Sequence, residues 1–211
     1  MNNIRRISSL ETMPSYEGNA LVVVGSFAPV HDGHFDAVRA AGKALEERGS
    51  AVHSVVMAPN SDEYLYRKLQ HEAGDWSFER RVQKILARET PFGDTPTYVD
   101  DISGAYVGLN EINQEVPVTL RRVMGLTADR LFFVTGSDQI RSMEAHLAHS
   151  ANRAICVMRP DGGLSTASQE LSQEWAVQAI EEGRYIITDR ENMETDISST
   201  AVRRNASISY V

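Results

Sequence analysis

Ala20-Leu21-Val22-Val23-Val24-Gly25-Ser26-Phe27-Ala28-Pro29-Val30-His31-Asp32-Gly33-His34 is the stretch whose reading decides the fold. A short apolar run closes on Gly25, which is the signature of a buried strand. A turn follows, and Phe35, Val38, Ala41 and Leu45 then recur at helical spacing until Gly49 stops them. Strand, glycine loop and helix in immediate succession is the opening unit of a sheet whose strands are joined by helices.

The same alternation continues downstream. Val52–Ala58 reads as a second buried strand, and Trp76–Glu89 as a helix with Phe78, Val82, Ile85 and Leu86 on one face. Thr97–Val99 is a short strand, Val118–Met124 a helix, and Leu131–Thr135 a strand running into Gly136-Ser137-Asp138 and a helix to about Leu147. Arg153–Met158, Glu170–Glu181 and Arg184–Thr188 read as strand, helix and strand, and a last helix is expected near Ser199. Between Asp100 and Glu115 no pattern emerges. Strands that are continuous apolar runs and alternate with helices imply a parallel α/β sheet with helices on both faces. Residues 1–18 are polar and aperiodic and read as an N-terminal arm, leaving 19–211 as a single domain.

Composition narrows the function. The 211 residues carry 21 basic and 29 acidic side chains, for a net charge of −8. Non-specific nucleic-acid binding depends on counter-ion release by Lys and Arg, so nucleic acid is excluded as a partner. An anionic ligand would need positive charge concentrated locally. No run approaches the ~20 apolar residues of a membrane span, and Met1–Asn19 has no signal-peptide core, so the expected compartment is the cytosol, with no membrane partner. The single cysteine, Cys156, lies in an apolar strand and reads as core.

In parallel sheets ligands bind beyond the carboxyl ends of the strands, so the residues just after each strand carry the information. Gly25 allows close approach of backbone to a ligand, and the N–H groups at a helix start favour an anion. His31 and His34, three apart, can share one side of that start and donate to phosphoryl oxygens. Six histidines in 211 residues give about 0.2 H-x-x-H pairs by chance, and about 0.01 with the glycine in between. Phosphate chemistry is the favoured reading of the pair. A zinc pair is weaker because no third ligand stands at useful spacing, and purely structural histidines are the other alternative. No G-x-x-x-x-G-K-S/T is present, and no G-x-G-x-x-G follows the first strand.

A second constellation lies near the C-terminus: Asp196-Ile197-Ser198-Ser199-Thr200-Ala201-Val202-Arg203-Arg204. Ser, Ser and Thr before a helix are natural caps and also hydroxyl donors beside free backbone N–H groups, with Arg203 one turn further on. Alone this reads as a capped surface helix; paired with the first constellation it reads as a second phosphate contact.

Together, G-S-F-x-P-x-H-x-G-H after a strand and a distal I-S-S-T-x-x-R resemble the H-x-G-H nucleotidyltransferase superfamily, and within it most closely the nicotinate/nicotinamide mononucleotide adenylyltransferases. Leu131–Asp138 is similar to that family's strand, glycine, small residue and aspartate. Pro59, Lys68 and Arg80 follow the order of its acceptor-binding segment. Bacterial members usually carry Gly-Gly-Thr-Phe-Asp where this chain has Gly25-Ser26-Phe27-Ala28, and residues 100–117 match poorly.

The resemblance implies a Rossmann-like, doubly wound parallel sheet and transfer of AMP from ATP to a pyridine mononucleotide, with pyrophosphate released, in NAD biosynthesis. It implies catalytic roles for His31, His34 and Arg203, and nucleotide contacts from Gly25, Ser26, Phe27, Gly136, Asp138, Ile197, Ser198, Ser199 and Thr200. Lys68, Trp76 and Arg80 would bind the acceptor, although solvated helix charge and core packing are the competing readings of these three. ATP would bring Mg2+, held mainly by phosphate and water, with no protein metal ligand named. The partners are then ATP and a small phosphate-bearing acceptor, and a homo-oligomer is left open. The alternatives are another phosphate acceptor (pantetheine phosphate, glycerol phosphate or flavin mononucleotide) or a nucleotide-binding regulator without turnover.

Overall fold

The computed structural model describes residues 4–10, 18–69, 76–106, 112–158 and 164–188. Seven strands form one sheet: β1 (Ile4–Arg6), β2 (Asn19–Gly25), β3 (Val52–Pro59), β4 (Thr97–Val99), β5 (Leu131–Gly136), β6 (Arg153–Val157) and β7 (Tyr185–Ile187). Their order is β1-β4-β3-β2-β5-β6-β7, and every pairing is parallel. The chain builds outward from β2 to β3 and β4, then crosses back to lay β5, β6 and β7 on the other side. This is the doubly wound, Rossmann-like architecture expected from the strand–helix alternation.

Strand residues alternate between two cores, as the two-residue period of a pleated strand requires. On one face Leu21, Val23, Val55, Met57, Val99, Phe132, Val134 and Ile155 pack beneath helices α1 (Asp32–Glu46) and α3 (Phe78–Leu86). On the other, Ala20, Val22, Val56, Ala58, Leu131, Phe133, Ala154 and Cys156 pack against α5 (Ile112–Met124), α6 (Met143–Leu147) and α8 (Glu174–Glu181). Burial on both sides explains why the strands read as unbroken apolar runs. The remaining helices are α2 (Asp62–Leu69), α4 (Ser103–Tyr106) and α7 (Leu164–Leu171).

Four expectations need correction. Residues 4–6 are not part of an unstructured arm: they add a parallel edge strand, registering Ile4–Arg6 on Thr97–Val99, and Ile7 beyond them is fully buried. Arg6 pairs with Glu79 on α3 and with Asp101 at 3.3 Å, tying this edge to the sheet. A three-residue strand containing two arginines is too short for periodicity to reveal. Second, α2 went unread because only Leu65 and Leu69 are apolar and inward, while Tyr66 is exposed. Third, α5 begins well before Val118 and carries Pro117 within it, where a missing N–H argues locally for a break. Fourth, Glu170–Glu181 is two helices, α7 and α8, separated at Gln173, whose backbone is extended (φ −68, ψ 146). The helix expected near Ser199 lies outside the described residues.

The segment after β4 is ordered by one buried carboxylate. Asp100 accepts from the backbone N–H of Ile102 (3.0 Å) and Ser103 (2.8 Å) and from the Ser103 hydroxyl (2.5 Å), starting α4. A Cβ on Gly104 would stand 2.1 Å from the Pro59 carbonyl oxygen, so only glycine lets α4 close on the end of β3. Burial pushes the Asp100 pKa above its usual 3.8, against the opposing hydrogen bonds from Ser103 and Ile102. The folded chain therefore takes up this proton at higher pH than the unfolded chain. The stability Asp100 contributes is present below the unfolded value and is lost as pH rises through the folded value. Asp100→Asn keeps the acceptor oxygen for the two N–H groups and removes the buried charge. Its melting temperature, compared with wild type at about pH 4 and about pH 7.5, should improve in relative terms at the higher pH.

Candidate active site

The site forms where the winding direction reverses. β2 lies between β3 and β5, and it pairs with β5 only from Ala20–Leu131 to Val22–Phe133. Both strands run on, to Gly25 and Gly136, without pairing to each other. Their carboxyl ends therefore splay apart and open a crevice at the switch point, the place where ligands settle in such sheets.

The loop after β2 is held by its own side chains. Phe27 sits at φ 50, a left-handed conformation that costs a side-chain-bearing residue roughly 1–2 kcal/mol. Complete burial of its ring keeps it there. A Cβ on Gly25 would press on that ring at 3.3 Å, which is the spatial reason for glycine. The Phe27 ring then lies 4.7 Å from that of His34. The Ala28–Pro29 peptide is cis.

His31 is the N-cap of α1 and His34 stands in its first turn. Their rings stack with centroids 3.8 Å apart and planes inclined by 30°. His34 Nδ1 lies 3.2 Å from the backbone N of His31 and 3.2 Å from its backbone O. When Nδ1 accepts from that N–H, the neutral ring carries its proton on Nε2; when the ring is protonated, Nδ1–H donates to that carbonyl and Nε2–H is kept. In both of these states Nε2 is a donor, the property a phosphoryl contact needs, whereas the neutral tautomer with its proton on Nδ1 leaves Nε2 an acceptor.

The neighbouring strand end joins the loop directly. The Asn60 N–H, just past β3, donates to the Gly25 carbonyl at 2.8 Å. On α2, Lys68 Nζ reaches the Ser26 hydroxyl at 3.2 Å and lies 5.7 Å from the Tyr64 ring. Lys68, expected to meet the acceptor phosphate, is therefore brought to the loop. Arg80, exposed on α3, lines a cleft of about 320 Å3 with Pro29 and Val30 of the same loop and with Trp76 and Lys84. Trp76 also packs on Ala28, Leu65 and Leu69, so it serves core packing whatever else it does. Gly136, Ser137 and the exposed Asp138 close β5 and open a short 3-10 helix on the far side of the crevice. Ile197, Ser198, Ser199, Thr200 and Arg203 lie outside the described residues.

Sequence reasoning passed over Arg81. This side chain is 1% exposed and donates to Trp76 O (2.9 Å), Ser26 O (2.9 Å), Asn60 O (2.8 Å) and Asp62 Oδ1 (2.8 Å). Burial lowers its pKa, and the Asp62 carboxylate opposes that shift. The signal was available: Phe78, Arg81, Val82 and Ile85 share the spacing of one helix face, and that face is apolar. Cys156 behaves as expected for core, because burial pushes its thiol up to about 12, far from a nucleophile at neutral pH. No helix among the described residues is long and apolar enough to cross a membrane.

A glycine loop and an imidazole pair at the switch point of a doubly wound sheet are what the resemblance to the α/β nucleotidyltransferases implies. The chain belongs to the cytidylyltransferase-like family, which matches residues 22–205, from within β2 to just beyond Arg203. Among curated proteins it is similar over a short stretch to the histidinol-phosphate aminotransferase of Nitrobacter hamburgensis, 36% identical over 72 residues, covering 32% of this chain and 20% of that protein. The enzyme of the same name from Nitrobacter winogradskyi is 37% identical over 71 residues, with the same coverage of 32% and 20%. The chain spans about a fifth of the length of these curated relatives.

Proposed function

We propose that this nucleotidyltransferase moves AMP from ATP to the phosphate of a pyridine mononucleotide, nicotinate or nicotinamide mononucleotide, as an adenylyltransferase of NAD biosynthesis. An oxygen of the acceptor phosphate attacks the α-phosphorus of ATP in line. The new P–O bond forms as the bond from the α-phosphorus to the bridging oxygen of the β-phosphate breaks, and pyrophosphate leaves with that electron pair. A phosphate monoester dianion is already nucleophilic, so neither a covalent intermediate nor a strong base is required. Catalysis reduces to positioning and to stabilising charge on phosphoryl oxygens.

The observation that carries the reading is the pair of splayed strand ends with His31 and His34 stacked beside them. In this reading His34 Nε2–H meets the α-phosphate, His31 assists on the β side, and Gly25, Ser26 and Phe27 form the floor. Asp138 accepts from ribose hydroxyls next to Gly136. Lys68, at the Ser26 hydroxyl, takes the acceptor phosphate, with Trp76 and Arg80 assigned to the rest of the acceptor. Ile197, Ser198, Ser199, Thr200 and Arg203 hold the β- and γ-phosphates. The imidazoles of His31 and His34 and the Lys68 ammonium at the loop are donors to phosphate oxygens. No cluster of three metal-ligating side chains occurs among the described residues, and Mg2+ is assigned to the triphosphate as it arrives.

The test is pyrophosphate release with ATP or CTP across nicotinate mononucleotide, nicotinamide mononucleotide, pantetheine phosphate, glycerol phosphate and flavin mononucleotide. ATP with one of the two pyridine mononucleotides should exceed every other combination at least tenfold in kcat/KM. A different best acceptor would replace the substrate in this reading. Tight ATP binding with no pyrophosphate from any acceptor would replace the enzyme with a nucleotide-binding regulator.

A further inference from the structure

We propose that Arg81 is a positioning residue for the transfer reaction: it sets the distance between the phosphate loop and the acceptor-holding cation Lys68. The inference rests on the assignment of Lys68 to the acceptor phosphate. Its basis is that one buried guanidinium joins the ends of β2 and β3, already paired in the sheet, to the first turn of α2 and to the approach to α3. Ser26 belongs to the loop after β2, Asn60 to the end of β3, Asp62 to the first turn of α2, and Trp76 to the approach to α3. Lys68 stands at the other end of α2, and its ammonium reaches the Ser26 hydroxyl. Arg81 thus fixes the loop through the Ser26 carbonyl and the first turn of α2 through Asp62, and the helix carries that placement along to Lys68.

The planar fork suits this task better than any other side chain. It offers five N–H donors in fixed directions, where a lysine offers one compact charge. Three of the acceptors are backbone carbonyls, which report main-chain position, and only Asp62 brings charge. Asp62 is 59% exposed while Arg81 is 1% exposed, so the carboxylate reaches in from the surface to meet a buried cation. A guanidinium retained in the core against its desolvation is more costly than an apolar residue of the same volume. A role in holding the site geometry accounts for its presence there.

Three variants test this. Asp62→Asn, a change at an exposed side chain, removes the charge but keeps an oxygen acceptor. It should raise KM for the acceptor three- to tenfold while the dissociation constant for ATP stays within twofold. Arg81→Lys should raise acceptor KM at least tenfold and lower kcat, again with ATP binding within twofold. Arg81→Gly should be more impaired, and guanidinium chloride below denaturing concentration should restore at least fivefold of kcat/KM where ammonium chloride at equal ionic strength does not. Amide exchange at Ser26 and across residues 60–69 should quicken in Arg81→Lys, and slow again in Arg81→Gly on adding guanidinium.

Equal rises in acceptor KM and ATP dissociation constant, or no change in either, would overturn the proposal. If the wild-type chain turns over no acceptor, the functional reading falls by itself. Amide exchange then decides the role of Arg81, and unchanged exchange at Ser26 and residues 60–69 in Arg81→Lys would overturn it.

Discussion

His34→Ala is expected to lower kcat at least a hundredfold while leaving the ATP dissociation constant within about threefold. A preorganised donor at a phosphoryl oxygen contributes most when charge builds there, and losing one such donor costs ~2.7–4 kcal/mol in comparable sites. The geometry supplies the preorganisation. The His34 ring is fixed by contacts to His31 backbone at 3.2 Å and by the rings of His31 and Phe27 on either side. Single-turnover measurement of pyrophosphate release separates this from slow product release. His34→Gln, which retains a donor but not the ring's placement, should recover only a small part of the loss. A kcat near wild type in His34→Ala would leave the imidazole pair without its assigned role. His31→Ala should be milder in kcat, because His31 is assigned an assisting role on the β side rather than the contact to the α-phosphate.

The reading of the sheet succeeded wherever burial is symmetric. Val22 and Val23 point to opposite cores, and both are apolar because both faces of β2 are covered. The sequence therefore shows one continuous run, and strand plus helix follows. The same logic points to the crevice, since Gly25 and Gly136 each close an apolar run in the sequence and their strands are neighbours in the sheet. It failed where identity depends on a partner distant in the chain. Ile4–Arg6 is a strand because Thr97–Val99 offers a free edge, and nothing local to the N-terminus encodes that. Ser137–Ser142 winds as a 3-10 turn before α6, a distinction periodicity over six residues does not carry.

The site residues show the same division. His31 and His34 are neighbours in sequence and in space, so their pairing was visible. Lys68 and Ser26 are 42 positions apart and meet through α2, whose existence was missed. Arg80 and Arg81 adjoin in sequence but sit on different sides of α3, one exposed at a cleft and one enclosed by carbonyls. Motif order points to Arg80, while the helix face containing Phe78, Val82 and Ile85 marks Arg81 as a charge that must be buried and satisfied.

Arg203→Ala is expected to raise KM for ATP ten- to a hundredfold, with a smaller change in kcat. Charge-assisted hydrogen bonds from a guanidinium to phosphate oxygens contribute ~1.5–3 kcal/mol, which converts to that range. The effect should fall on the leaving group: product inhibition by pyrophosphate should weaken in parallel with ATP binding, whereas the acceptor KM should stay within about threefold. That pattern separates Arg203 from Lys68, whose loss should do the reverse. The assignment draws on the motif Ile197-Ser198-Ser199-Thr200 preceding Arg203 and on the family match, which extends to residue 205 and so takes in this segment. It also draws on the charge balance. In a chain of net charge −8, a triphosphate must be met by cations concentrated locally at its site. Arg203→Lys keeps the charge and loses the fork, so it should retain part of the affinity, and that residue should be more salt-sensitive than wild type. An unchanged KM for ATP in Arg203→Ala, with pyrophosphate inhibition also unchanged, would remove the C-terminal segment from the triphosphate and leave the Gly25 loop to hold it alone.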